Sequence, residues 1–114
     1  MVPHAAKRVE FLGTSREDIR SLPAEARRAL GIELWDVQRG ATPLHWRPMR
    51  SVGPGVIEIR VQLGRAFRLL YVASYAECIY VLHVFEKKSQ KTSRLDLAVA
   101  RARLASVRRS PKEG

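Results

Sequence analysis

Val56-Ile57-Glu58-Ile59-Arg60-Val61 is the stretch on which the fold turns. Strict alternation puts Ile57, Ile59 and Val61 on one side of an extended chain and Glu58 and Arg60 on the other, which is the signature of a strand. A turn around Gly64 leads into a second strand signal, Ala66 to Ala73, and Cys78 to Glu86 supplies a third. That third run is apolar at nearly every position, as expected of a central strand covered on both faces. Short turns between closely spaced strands imply an antiparallel meander.

Upstream, Lys7 to Leu12 alternates as a short strand and Gly13 breaks it. Thr14 and Glu17 have capping-box spacing, with Ser15 and Asp18 as a competing register, so a short helix begins there. Pro23 restarts the chain into a second helix, where Ala26, Leu30, Leu34 and Val37 recur at helical spacing as far as Arg39, and Gly40 stops it. Residues 40–55, with Gly40, Pro43, Pro48, Gly53, Pro54 and Gly55, read as loop. Ser93 to Arg109 is a last helix, with Leu97, Ala100, Leu104 and Val107 as its apolar stripe and Ser93 and Asp96 at its start; residues 110–114 are expected to fray. The reading is α+β: one domain over residues 1–114, an antiparallel twisted sheet of four to five strands, helices packed on one face, with N-terminal helices after the first strand and a C-terminal helix.

Composition narrows the function. The chain has 114 residues, 21 Lys and Arg against 11 acids, and a formal net charge of +10. Sixteen of the 21 cations are Arg, whose planar fork of donors suits phosphate better than a Lys point charge does. Nine cations face one acid, Asp96, between Lys87 and Lys112. A polyanionic partner follows from such an excess, and a basic but merely solvated surface is the alternative. Cys78 is the sole cysteine, which excludes a disulfide framework and fits a reducing compartment. No apolar run approaches the roughly 18 residues needed to cross a bilayer. A cytoplasmic protein with no membrane association is expected.

No Walker or dinucleotide-type glycine loop is present, since Gly53-Pro54-Gly55 is a turn signal. His4, His45 and His83 lack metal-ligand spacing, so neither a metal nor another cofactor is expected. The positive feature is a set of cations on adjacent strands. If the strands pair, Arg60 and Arg68 reach the same sheet face, and the polar run from Lys87 to Thr92 rims it with Lys87, Lys88 and Lys91. That is a phosphate-binding cleft. Alternatively, Arg60 pairs with Glu58 or a helix acid and the Lys run is a solvated turn. RNA cleavage needs little more than such a cleft, because a ribose 2′-OH is the nucleophile and the site adds a base, an acid and cations, without a requirement for metal. Glu58 is a candidate base or else an ion-pair partner of Arg60 or Arg68. His83 is a candidate acid or base or else a satisfied core histidine. Tyr71, Tyr75 and Tyr80 read as core or rim.

The segments Val56-Ile57-Glu58-Ile59-Arg60, Phe67-Arg68-Leu69-Leu70-Tyr71 and Leu82-His83-Val84-Phe85-Glu86-Lys87-Lys88-Ser89-Gln90-Lys91-Thr92 resemble, in order and spacing, the phage-derived, HigB-like branch of the RelE/ParE toxin superfamily. The Leu22-Pro23 helix start and the Ala/Arg-rich last helix match as well, so the resemblance spans about residues 7–109. It implies a RelE-like fold and an mRNA endoribonuclease acting on the ribosome. It also implies a cognate antitoxin, of helix-turn-helix type, that forms a hetero-oligomer with it. Arg60, Arg68, Lys87, Lys88 and Lys91 carry over as phosphate or RNA contacts, and Arg47 and Arg94 stand beside them as further RNA-binding positions. The departure is at the C-terminus. Several superfamily members place a Tyr or an acid–His cluster there, whereas this chain ends its last helix on Ser106-Val107-Arg108-Arg109, and the acid and base are left unassigned. Three other readings compete: a ParE-like toxin that binds gyrase, a non-catalytic RNA-binding or phage accessory module, and a degenerate toxin kept for regulation with its partner. The cation cluster discriminates against the first, since a gyrase inhibitor has no use for cations converging on a phosphate.

Overall fold

A computed structural model describes residues 6–109, and both His4 and the tail expected to fray lie outside them. The elements run β1 (Arg8–Phe11), α1 (Ser15–Arg20), α2 (Ala24–Gln38), β2 (Trp46–Pro48), β3 (Val56–Leu63), β4 (Arg65–Val72), β5 (Cys78–Lys87) and α3 (Arg94–Arg109). They form an α+β architecture around one five-stranded sheet in the order β1-β5-β4-β3-β2. Among the described residues no helix is long and apolar enough to cross a membrane.

The three main strands lie where the sequence pattern puts them, and β3, β4 and β5 pair antiparallel. Gly64, at φ +71°, makes the reversal between β3 and β4 so tight that Leu63 and Arg65 are already partners. Two expectations for the sheet need correction. β1 pairs with β5 in parallel, so the sheet is mixed. The helices between β1 and the rest of the sheet let the chain arrive at β5 in the same direction, and alternation within a four-residue strand carries no information on direction. Within the expected loop, Trp46 to Pro48 pairs with Ile57 to Ile59 as β2. Pro48 is tolerated there because β2 is an edge strand.

The helices also divide between the two faces rather than sharing one. Ala26, Leu30, Leu34 and Val37 of α2 and Ile19 of α1 pack on Ile59, Val61, Phe67, Leu69, Ile79 and Val81. Ala100, Leu104 and Val107 of α3 pack on the opposite face, against Val56, Leu70, Val72, Cys78, Tyr80 and Leu82, with Met49 and Val52 closing the edge. β5 is buried on both sides because it lies under both layers, as its apolar composition implied. α3 is capped by Ser93, whose Oγ accepts the Asp96 amide at 3.0 Å. α1 starts at Thr14 without such a cap, because Thr14 donates its hydroxyl to Asp18 at 2.8 Å.

A bulge between Leu70 and Tyr71 in the β4–β5 ladder decides what faces α3. Tyr71 pairs with Val81 and Leu70 with His83, so Leu82 is the extra residue. Leu82 packs in the core under α3, and His83 also reaches α3 through Asp96. The bulge thereby brings His83 and Phe85 onto the face that carries the cations.

Candidate functional site: a basic basin over a buried carboxylate

Strand register builds the site row by row. Arg47, Glu58, Leu70 and His83 are successive partners across β2, β3, β4 and β5. The next row toward the β3–β4 turn is Arg60, Arg68 and Phe85, and the one after it is Gln62, Ala66 and Lys87. Partners across a sheet point the same way, so all of these side chains leave the sheet on the α3 side. α3 covers the part of this face nearer Val56 and Val72 and reaches Leu70 and His83, and the cations of these rows lie beyond it.

Glu58 is the lowest point of the site, with 0% of it exposed. Arg47 donates Nε to Glu58 Oε1 at 2.8 Å, Arg60 Nε lies 3.8 Å from the same oxygen, and Arg68 Nε lies 3.6 Å from Oε2. Three guanidinium groups therefore share one carboxylate. Arg68 is itself buried and donates Nη1 to the Phe67 carbonyl at 3.0 Å. Among the described residues Glu58 Oε2 and Arg68 Nε are buried without a hydrogen-bond partner, so their 3.6 Å attraction is ionic and leaves donor and acceptor capacity unused. Burial lowers the pKa of Arg68, partly offset by Glu58, with Arg60 and Arg47 adding repulsion. Arg68 stays charged, as guanidinium does, and is short of negative charge.

Lys87 joins this group from β5. Its pKa is pushed down, first by burial and then by the adjacent Arg68 charge. The small side chain of Ala66 leaves an open basin of about 620 Å³ between them, lined by Arg47, Arg60, Arg68, Lys87, Lys88, Ser89 and Gln90. A neighbouring depression of about 480 Å³ continues past Arg47 to Arg50, Gln90 and Lys91. The structure thus brings together Arg47, Arg60, Arg68, Lys87 and Lys88 and places Lys91 next door. Arg94, Glu58 and His83 line neither hollow.

His83 sits behind Phe85, stacked on its ring at a centroid distance of 4.8 Å. Its Nε2 is 2.7 Å from Asp96 Oδ1, and Asp96 Oδ2 accepts the Ser93 hydroxyl at 2.8 Å. This chain ties the start of α3 to the sheet floor. Its acceptor, Asp96, has a place in the sequence only as a capping residue. Several other cations are occupied elsewhere. Arg101 donates to the Ser51 carbonyl at 2.8 Å, and Arg103 donates to the Leu82 carbonyl at 3.0 Å. The cation excess after Lys87 therefore divides between the basin rim and structural clamps on α3.

Residues 17–105 match the model of a protein family, the phage-derived Gp49-like proteins. The chain belongs to that family. No curated protein matches the sequence. Among solved structures, this Gp49-like protein is similar to a chain of the RelBE2 toxin–antitoxin complex from Mycobacterium tuberculosis. The two are 26% identical with a TM-score of 0.51, over 73% of this chain and all of that one. The α+β architecture is therefore compatible with a RelE-like fold.

Proposed function

We propose that this Gp49-like protein is a single-domain toxin of a toxin–antitoxin pair, of the HigB-like branch, and that it cuts mRNA on the ribosome. The observation that carries the reading is the convergence of Arg47, Arg60, Arg68 and Lys87 on one basin, with a single buried carboxylate to balance them. Holding a charge as buried as Arg68 with its Nε unsatisfied is costly unless an anion arrives with the substrate. A phosphodiester is an anion of the right size and geometry for guanidinium. Similarity to a protein solved as a toxin–antitoxin complex supports the same reading.

In the reaction, the ribose 2′-oxygen attacks the adjacent phosphorus and the bond from phosphorus to the 5′-oxygen breaks, leaving a 2′,3′-cyclic phosphate and a 5′-hydroxyl. Arg60 and Arg68 stabilise the charge that builds on the non-bridging oxygens. Lys87, acidified by burial and by Arg68, donates its proton to the leaving 5′-oxygen, while the 2′-hydroxyl proton leaves to water on the open side. Glu58 is closed from substrate and serves as the anchor that holds three guanidinium groups in place. His83 serves as a tie to α3. Arg47, Lys88 and Lys91 extend the phosphate path. The antitoxin seats an acidic segment over this basin, and the pair is a hetero-oligomer.

The test is induced expression of folded Arg68→Ala and Lys87→Ala variants, scored by growth arrest and by cleavage of ribosome-bound mRNA. Each should lose on the order of a hundredfold in cleavage. Arg16→Ala, on α1 against Phe11 and away from the basin, should retain it. Full toxicity in both basin variants would place the activity elsewhere.

A further inference from the structure

β2 ends opposite Ile59, and after the Arg60 amide, which the His45 carbonyl accepts, no strand among the described residues pairs with the outer edge of β3 up to the Gly64 turn. Along this edge lies a second groove of about 660 Å³, on the way from the basin to the α2 side. Arg60 and Arg68 line both hollows. The remainder of the groove has a different character. Ala29, Leu44, Trp46 and Leu63 give it apolar walls, and Glu33, His45 and Gln62 complete the lining. Leu44 is 80% exposed, Leu63 43% and Trp46 42%, an unusual concentration of uncovered apolar surface in a chain of net charge +10. The wall is held in position: the Leu44 amide donates to the nearly buried Glu33 carboxylate at 2.7 Å, and the His45 carbonyl accepts the Arg60 amide at 2.9 Å.

A phosphate site flanked by an apolar slot with an indole on its wall is the arrangement that single-stranded RNA requires. The backbone is gripped by cations and an unstacked base lies on an aromatic face. We infer that the groove between Trp46, Leu44 and Leu63 is a subsite for a nucleobase adjacent to the phosphate held by Arg60 and Arg68. The inference rests on the proposed role of the basin. A single-stranded RNA is favoured over a peptide because the groove opens directly onto two guanidinium groups with unspent positive charge. A base covalently attached to that phosphate reaches the apolar walls with no additional partner. Stacking on Trp46 is tolerant of base identity, and shape at the Leu44–Leu63 wall sets what preference there is.

The chain has two tryptophans, so a Trp35→Phe background isolates the emission of Trp46. Two probes are titrated at low salt: a 2′-O-methyl octaribonucleotide, which cannot be cut by 2′-OH attack, and inorganic polyphosphate, which carries the charge without bases. The octamer should quench Trp46 and polyphosphate should not. Trp46→Leu, which keeps apolar bulk on β2, should weaken the octamer about tenfold and leave polyphosphate unchanged, and Trp46→Phe should restore most of the loss. Leu44→Ser, which changes a largely exposed side chain and keeps the amide that bonds Glu33, should weaken the octamer alone, by a smaller factor. Equal binding of both probes to wild type and Trp46→Leu without quenching would overturn the subsite while leaving the basin as a phosphate site. Failure of either probe to bind at all would remove the basin reading and the subsite with it. If Trp46→Leu impaired binding of the antitoxin but not of the octamer, the groove would be a peptide site and the inference wrong.

Discussion

On the side of the sheet covered by α1 and α2, Ile59, Leu69, Ile79 and Val81 have no exposed surface and meet a continuous apolar stripe from Ala26 to Val37. On the other side the same strands change character along their length. Near Val56 and Val72 they pack under α3, and toward the β3–β4 turn they carry Glu58, Arg60, Arg68 and Lys87 with only an open basin above. One face is spent wholly on burial. The other gives up roughly its outer half to charges that disfavour folding. β3 shows how little sequence this takes, because alternate residues of one eight-residue strand serve the two purposes.

If that division is right, the faces should respond differently to truncation. Leu69→Ala, in the closed face, should show the largest effect, about 2–5 kcal/mol of stability in chemical denaturation. Its specific activity, per folded molecule, should be close to wild type. Glu58→Gln comes next. It keeps the shape and an acceptor for Arg47 but leaves three guanidinium groups without their counter-charge, so it should lose about 2–3 kcal/mol and activity as well. A Glu58→Gln variant as stable as wild type would mean that the carboxylate anchors nothing.

Much of this arrangement was legible in advance. Period-two alternation places β3 and β4 and puts Glu58, Arg60 and Arg68 on a common face, because side-chain direction in a strand is a local property, and a continuous apolar run places β5. Pairing direction is not local, which is why the parallel β1–β5 contact could not be read from Arg8 to Phe11. β2, three residues ending on Pro48, has too little alternation to register, so Arg47, expected as an RNA contact, could not be read as the closest partner of Glu58. Nor could alternation tell that Glu58 would be wholly closed while Arg60, two residues on, stays open. Arg47 on β2 lies across from Glu58 and bonds it, whereas Arg60 lies past the end of that strand. Nor does the charge count after Lys87 show which cations are clamps, since the carbonyls that Arg101 and Arg103 satisfy lie 50 and 21 residues away.

Lys87 sharpens the comparison through pH. Its pKa is lowered from the ordinary value of 10.5, so the folded state disfavours its charged form. The penalty is complete at neutral pH and is relieved only as pH climbs from the lowered pKa toward 10.5. Lys87→Met should therefore raise the Tm at pH 7 slightly, by less than about 1 kcal/mol of stability, while abolishing most cleavage. The gain should shrink in alkaline buffer. A Tm that falls at pH 7 would show that Lys87 stabilises the fold and is no part of a strained site.

The salt dependence of RNA binding tests the central claim most directly. Affinity for a single-stranded RNA that cannot be cut is measured from low to moderate salt for wild type, Arg68→Ala and the remote Arg16→Ala. The account predicts a steep linear fall of log affinity with log salt in wild type. Arg68→Ala should lower that slope by about one, the share of a single phosphate contact, and Arg16→Ala should leave it unchanged. A flat wild-type line, or one whose slope survives Arg68→Ala intact, would contradict the claim that this basin binds the phosphate backbone.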